Sequence, residues 1–105
     1  MTAEIFDPSS LTWKTTAALP NPPSRRVVTA TLLNDGKVLV AGGIDPSNNY
    51  IGLSDVFDPQ TESWRSGGSM NVPRYWHTAT KLTDGRVIIS GGHNGNYLSS
   101  VEVYQ

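Results

Sequence analysis

The chain has 105 residues, 8 basic and 9 acidic side chains, a net charge of −1 and no cysteine. That length fits one ordinary domain. The near-zero charge argues against a nucleic-acid binder or a polybasic membrane binder, because both need a basic surface. The missing cysteines exclude disulfides, thiolate zinc sites and a cysteine nucleophile, and they leave the compartment open. Apolar runs stay near four or five residues against the ~20 of a spanning helix, so no transmembrane segment is expected. Met1–Glu4 shows no basic stretch leading into an apolar one, so no signal peptide is expected.

In chain order, the first feature is Glu4-Ile5-Phe6-Asp7-Pro8, followed by Trp13. It returns as Asp55-Val56-Phe57-Asp58-Pro59 and Trp64, a shift of 51. Residues 25–43 return as 74–92 at a shift of 49, with 10 of 19 positions identical. Such self-similarity marks a repeat architecture. Inside each unit the pattern is β. Val27–Leu33 and Trp76–Leu82 are rich in β-branched and aromatic residues, which suit a pleated surface. Asn34-Asp35-Gly36 and Thr83-Asp84-Gly85 follow, and an Asp-Gly pair between such runs signals a hairpin. Lys37–Ala41 and Arg86–Ser90 then run into double glycines. A polar loop leads to a third strand at Asp55–Phe57 or Ser100–Tyr104, and a short strand around Trp64 ends the complete unit. No segment carries ten residues of helical periodicity. The expectation is an all-β chain with four short antiparallel strands per unit.

The double glycines Gly42-Gly43 and Gly91-Gly92, the later aromatics Phe57 and Tyr104, and Trp64 together resemble Kelch repeats. The strings Asp35–Gly43 and Phe57–Trp64 look like the bacterial, galactose-oxidase-like branch of that family. The resemblance implies four-stranded β-propeller blades. On that basis residues 3–13 supply strands that complete a neighbouring blade, 25–64 a complete blade, and 74–104 a blade lacking its last strand. Repeat architectures need about three or more units to bury a continuous core, and propellers have about four to eight blades. The expectation is therefore a homo-oligomer joined head to tail into a closed ring. A trimer with six blades is favoured and a tetramer with eight comes second. The bland alternative is a fragment with open sheet edges.

Residues with catalytic potential are few. Galactose-oxidase-like relatives pair copper with a tyrosine–cysteine cofactor, which cannot form without cysteine. His77 lies opposite Val28 and His93 opposite Ile44 in the other unit, so both histidines fit packing roles. Asp7, Asp58, Asp35 and Asp84 sit in turns, where Asp bonds the local backbone. No catalytic residue, metal site or cofactor is expected. The reading is a non-catalytic scaffold or binding module for a peptide or small polar ligand. The alternative is a fragment of a larger carbohydrate-active or oxidase-like Kelch enzyme. The family resemblance places the loops after the double glycines and the entries to the first strands on one face. The residues there are Arg25, Arg26, Asn48, Asn49 and Tyr50, then Arg74, Tyr75, Trp76, Asn94, Asn96 and Tyr97. Tyr and Arg combine contact area with directional donors. Arg25 and Arg74 recur in register, either to attract acidic ligands or to pair with an acidic neighbour. The Asn-rich loops are either ligand contacts or plain turn chemistry.

Overall fold

Each Asp-Gly loop folds the chain back on itself in the same way. Leu33 N–H donates to the Lys37 carbonyl at 2.8 Å and Gly36 N–H to the Leu33 carbonyl at 3.1 Å. Gly36 has φ +88°, as a three-residue loop with a left-handed last position requires. Asp35 Oδ1 accepts from Lys37 N–H at 3.0 Å, and Asp84 repeats this with Arg86 N–H. Asp7 and Asp58 cap the turns after the third strands by accepting from Ser9 and Gln60 N–H. The Ser9 hydroxyl, donating at 2.6 Å, and then Ser9 N–H hold the Asp7 carboxyl below the usual carboxylate range, and the N–H donors of Lys37 and Arg86 do the same for Asp35 and Asp84.

The computed structural model describes residues 3–20 and 24–105. The described residues contain nine strands and no helix. Strands β1 (Glu4–Asp7) and β2 (Thr12–Thr15) form a hairpin. Strands β3 (Thr29–Leu32), β4 (Val38–Ala41), β5 (Leu53–Asp58) and β6 (Ser63–Ser69) form a four-stranded antiparallel sheet in sequence order. Strands β7 (Thr78–Lys81), β8 (Val87–Ser90) and β9 (Val101–Tyr104) form a three-stranded one. The all-β expectation holds. The first strands start two residues later than the apolar runs suggest, because Val27 and Trp76 adopt left-handed φ of 56° and 57°. Strand β6 runs past Trp64 through Gly67-Gly68 to Ser69, and a register shift between Ser54 and Asp55 accommodates the extra residue.

The core lies between the second and third sheets. Leu39, Ala41 and Val56 from one meet Val87 and Ile89 from the other, with Met70, Ala79 and Tyr104 packed around them. Full burial of a side chain such as Val56 contributes roughly 1.5–3 kcal/mol. The double glycine permits close approach of the inner strands. A Cβ on Gly42 would stand 2.6 Å from the Arg74 carbonyl oxygen, and one on Gly92 2.6 Å from that of Tyr75. The hairpin covers the opposite face of the second sheet. Trp64 Nε1 donates to the Ala17 carbonyl at 2.9 Å, and Lys14 pairs with Glu62 at 2.8 Å. Among the described residues only a two-stranded element stands there, and a cleft of about 320 Å³ remains, lined by Ile5, Ala30, Val38, Val40, Phe57 and Trp64.

Candidate functional site: the loop face

The residues expected on the loop face divide into a buried set and an exposed set. Arg25 and Arg74 are buried. Arg25 Nη2 donates to Asp55 Oδ2 at 2.6 Å and Nη1 to the Leu53 carbonyl at 3.3 Å. Burial pushes the Arg25 guanidinium below its ordinary value, and Asp55 opposes the shift. Arg74 is held by the carbonyls of Gly91 and Ser100, the Ser100 hydroxyl and Glu102 Oε2 at 3.1 Å. Glu102 also accepts from Asn71 and Val72 N–H. Burial raises the Glu102 carboxyl, but these hydrogen bonds and Arg74 outweigh it and leave it below its usual value. Of the two roles weighed for Arg25 and Arg74, the geometry matches the pairing one: both guanidinium groups are turned inward onto acidic partners about thirty residues along the chain. Their recurrence in register reflects one structural pair per sheet.

Asn48 and Asn49 belong to a turn closed by Asp45. Asp45 accepts from Ser47 N–H, Asn49 N–H and Asn49 Nδ2 at 2.8–3.0 Å, which lowers its carboxyl below the usual range. Asn48 has φ +64°, a conformation Asn tolerates better than most residues. The shorter second loop closes with Asn94 N–H donating to the Asn96 carbonyl at 3.2 Å.

The aromatic residues do come together. In the first unit Arg26 bridges Ile44, and Ile44 bridges Tyr50; in the second, Tyr75 bridges His93, and His93 bridges Tyr97. Tyr50 reaches across to stack on Tyr75, with centroids 5.6 Å apart. Tyr75 stacks on Trp76 at 4.7 Å. His93 stands edge-on to Tyr75 and to Tyr97 at 5.7 and 5.2 Å, and its Nδ1 accepts from Gly95 N–H. The result is a ridge of rings with Arg26, Trp76 and Tyr97 exposed. Such a surface offers broad apolar contact with polar edges and suits recognition.

His77 is not part of the ridge. It is buried between the inner strands, with Nε2 2.9 Å from Thr29 Oγ1. Burial, and next the Arg74 charge, push its imidazole below the ordinary value. Among the described residues no group of three or more His, Asp or Glu side chains is disposed to hold a metal ion. Sequence reasoning did not single out Ile44 and Pro46, which line a recess beside Arg26. The signal was the alignment of Arg26–Ile44–Tyr50 with Tyr75–His93–Tyr97, hidden by the two-residue difference in loop length.

Successive antiparallel sheets packed face to face, with double glycines at the inner edge and a Phe–Trp pair at the outer one, define a blade-type β-repeat chain. Residues 26–71 match the Kelch motif. An F-box/kelch-repeat protein of Arabidopsis thaliana is 30% identical over 100 residues, which is 95% of this chain and 23% of that protein. The chain thus spans about a quarter of that relative's length. It is a Kelch-repeat protein. Kelch repeats generally mediate protein–protein interactions.

Proposed function

We propose that this chain is a non-catalytic interaction module. Its copies join head to tail into a ring of blades, and the ring presents the aromatic ridge to a peptide or small polar ligand. One observation carries the reading: equivalent residues are buried inside the chain and bare at its two outer faces. Val56 is 0% exposed between the sheets, and its counterpart Val103 is 43% exposed. Phe57 is 6% exposed, and its counterpart Phe6 is 41%. The Ile88–Val103 face of the last sheet corresponds to the Leu39–Val56 face that packs on the third sheet. The cleft under the hairpin, lined by Val38 and Val40, corresponds to the Val87–Ile89 surface that receives that face. The two ends are thus complementary by internal repetition. Joining them merges β7–β9 of one copy with β1–β2 of the next. Because β1 and β9 are equivalent third strands, one of them gives way in the merged sheet. Three copies supply six blades and four supply eight, and a heterologous contact of this kind closes when the rotation allows.

The test is solution mass by light scattering over a dilution series. The expected result is a stable mass of about 34 kDa for three copies of 11.4 kDa, or about 46 kDa for four. Val103→Asp, which places a charge in the joined face, is expected to return the chain to monomer mass. A wild-type chain that is folded and monomeric at every concentration overturns the proposal.

A further inference from the structure

Among the described residues, the ridge holds a filled socket and an empty one. The filled socket receives Tyr50. Its ring stacks on Tyr75 at 5.6 Å and stands 6.4 Å from His93. Its hydroxyl lies 3.9 Å from where a Cβ on Gly95 would stand. Tyr75, His93 and Gly95 are therefore the walls. Shifted by 49 residues, those walls are Arg26, Ile44 and Pro46. They line a recess of about 130 Å³, together with Ser24 and Arg25. Among the described residues no side chain enters it as Tyr50 enters the other. A water occupies about 30 Å³ of liquid, so the recess exceeds a single hydration site.

The side chain equivalent to Tyr50 is Tyr97. Both follow the double glycine, both bridge the central residue of their triad, and the same offset of 47 relates Tyr104 to Phe57. Tyr50 is half-buried in its socket, whereas Tyr97 is 91% exposed. The described residues of one chain thus carry an unfilled socket at the front and an unseated knob at the back. Arg26 is a suitable wall for a phenol ring, since a guanidinium over an aromatic face is attracted by the ring's quadrupole.

We infer that Tyr97 of one copy seats in the Arg26–Ile44–Pro46 socket of the next. The contact repeats between chains what Tyr50 and Tyr75 do within one. This rests on the head-to-tail reading and adds to it a pair of residues that fixes the order of the seam on the loop face. Arg26 contributes a cation–π contact in place of the Tyr–Tyr stack.

The experiment measures the dissociation midpoint of the assembly by anisotropy of a fluorescently labelled chain on dilution. Tyr97→Ala and Arg26→Asp are each expected to raise the midpoint by about tenfold or more. Arg26→Tyr, which recreates the internal socket, is expected to stay within a few-fold of wild type. Tyr97→Ala combined with Arg26→Ala is expected to be no weaker than Tyr97→Ala alone, because the pair acts as one contact. Tyr97 is exposed, so its variant folds as the wild type does, and matching thermal midpoints verify this. If Tyr97→Ala and Arg26→Asp assemble like wild type while Val103→Asp dissociates, the ring stands and the knob-and-socket pairing is overturned. If the wild type never associates, both fall.

Discussion

Replacing Asp55 by Ala removes the only side-chain acceptor, among the described residues, of a fully buried cation. The Arg25 and Asp55 side chains are 0% and 6% exposed, and their N–O distance is 2.6 Å. The remaining partner of the guanidinium would be the Leu53 carbonyl at 3.3 Å. Arg25 Nε has no hydrogen-bond partner among the described residues, so the group has little in reserve. Removing one member of a buried pair costs about 3–5 kcal/mol, because the survivor stays desolvated without its counter-charge. With a urea slope of roughly 1–3 kcal/mol per molar, the unfolding midpoint should fall by about 2 M. The comparison that isolates the cause is Arg25→Met with Asp55→Val. That double variant replaces both charges by apolar groups and should recover most of the loss. The assay is urea unfolding followed by circular dichroism at pH 7. If Asp55→Ala loses less than about 1 kcal/mol, or if the double variant is as unstable as the single one, the assignment of Arg25 and Asp55 as a coupled buried pair is refuted.

Two further predictions concern His77 and the glycines Gly42 and Gly36. His77 is neutral in the folded chain, because burial and then Arg74 depress its value, whereas in the unfolded chain it titrates near 6.5. Its contribution to stability is complete above that value and is lost as the pH falls below it. His77→Val, which copies Val28, should flatten the fall in urea midpoint between pH 7.5 and pH 5.5, and an unchanged slope would refute the role. Gly42→Ala should cost well over 2 kcal/mol, since it has φ +69° and a Cβ would meet the Arg74 carbonyl at 2.6 Å. Gly36→Ala also has positive φ, at +88°, but meets nothing within 4 Å and should cost only about 1–2 kcal/mol. Equal thermal shifts for the two glycine variants would show that the close approach does not matter.

The parts of the fold legible in sequence are those whose cause is local. Asp35-Gly36 and Asp84-Gly85 announce their hairpins because the turn chemistry is contained within the loop itself. The four-strand pattern of the unit followed from the repeat, and the Phe–Trp pairs it aligned lie on neighbouring strands with tilted rings, centroids 5.0 and 5.1 Å apart. The role of Arg25 and Arg74 was not decidable locally. Their partners Asp55 and Glu102 lie 30 and 28 residues away, and burial depends on sheets folding over them. The left-handed backbone at Val27 and Trp76 was hidden because bulky residue types argue against it. Gly67-Gly68 was hidden for the opposite reason, since paired glycines suggest the end of a strand rather than a bulge within one. The aromatic residues of the loop face were each visible, but the stacking of Tyr50 on Tyr75 needs the spatial junction between units.

Among the described residues, the middle sheet alone is covered on both sides, by the hairpin on one face and the three-stranded sheet on the other. Its central strands, β4 and β5, also have hydrogen-bonded neighbours on both edges. An opening that peels away either flank therefore leaves the amides of Val38–Ala41 and Leu53–Asp58 paired. In hydrogen exchange these amides should be the last to take up deuterium, ahead of which β1, β2 and β9 exchange by partial opening. The chain thus carries a gradient of protection that is highest at its centre and declines toward both ends, and any partner seated on those ends would level it.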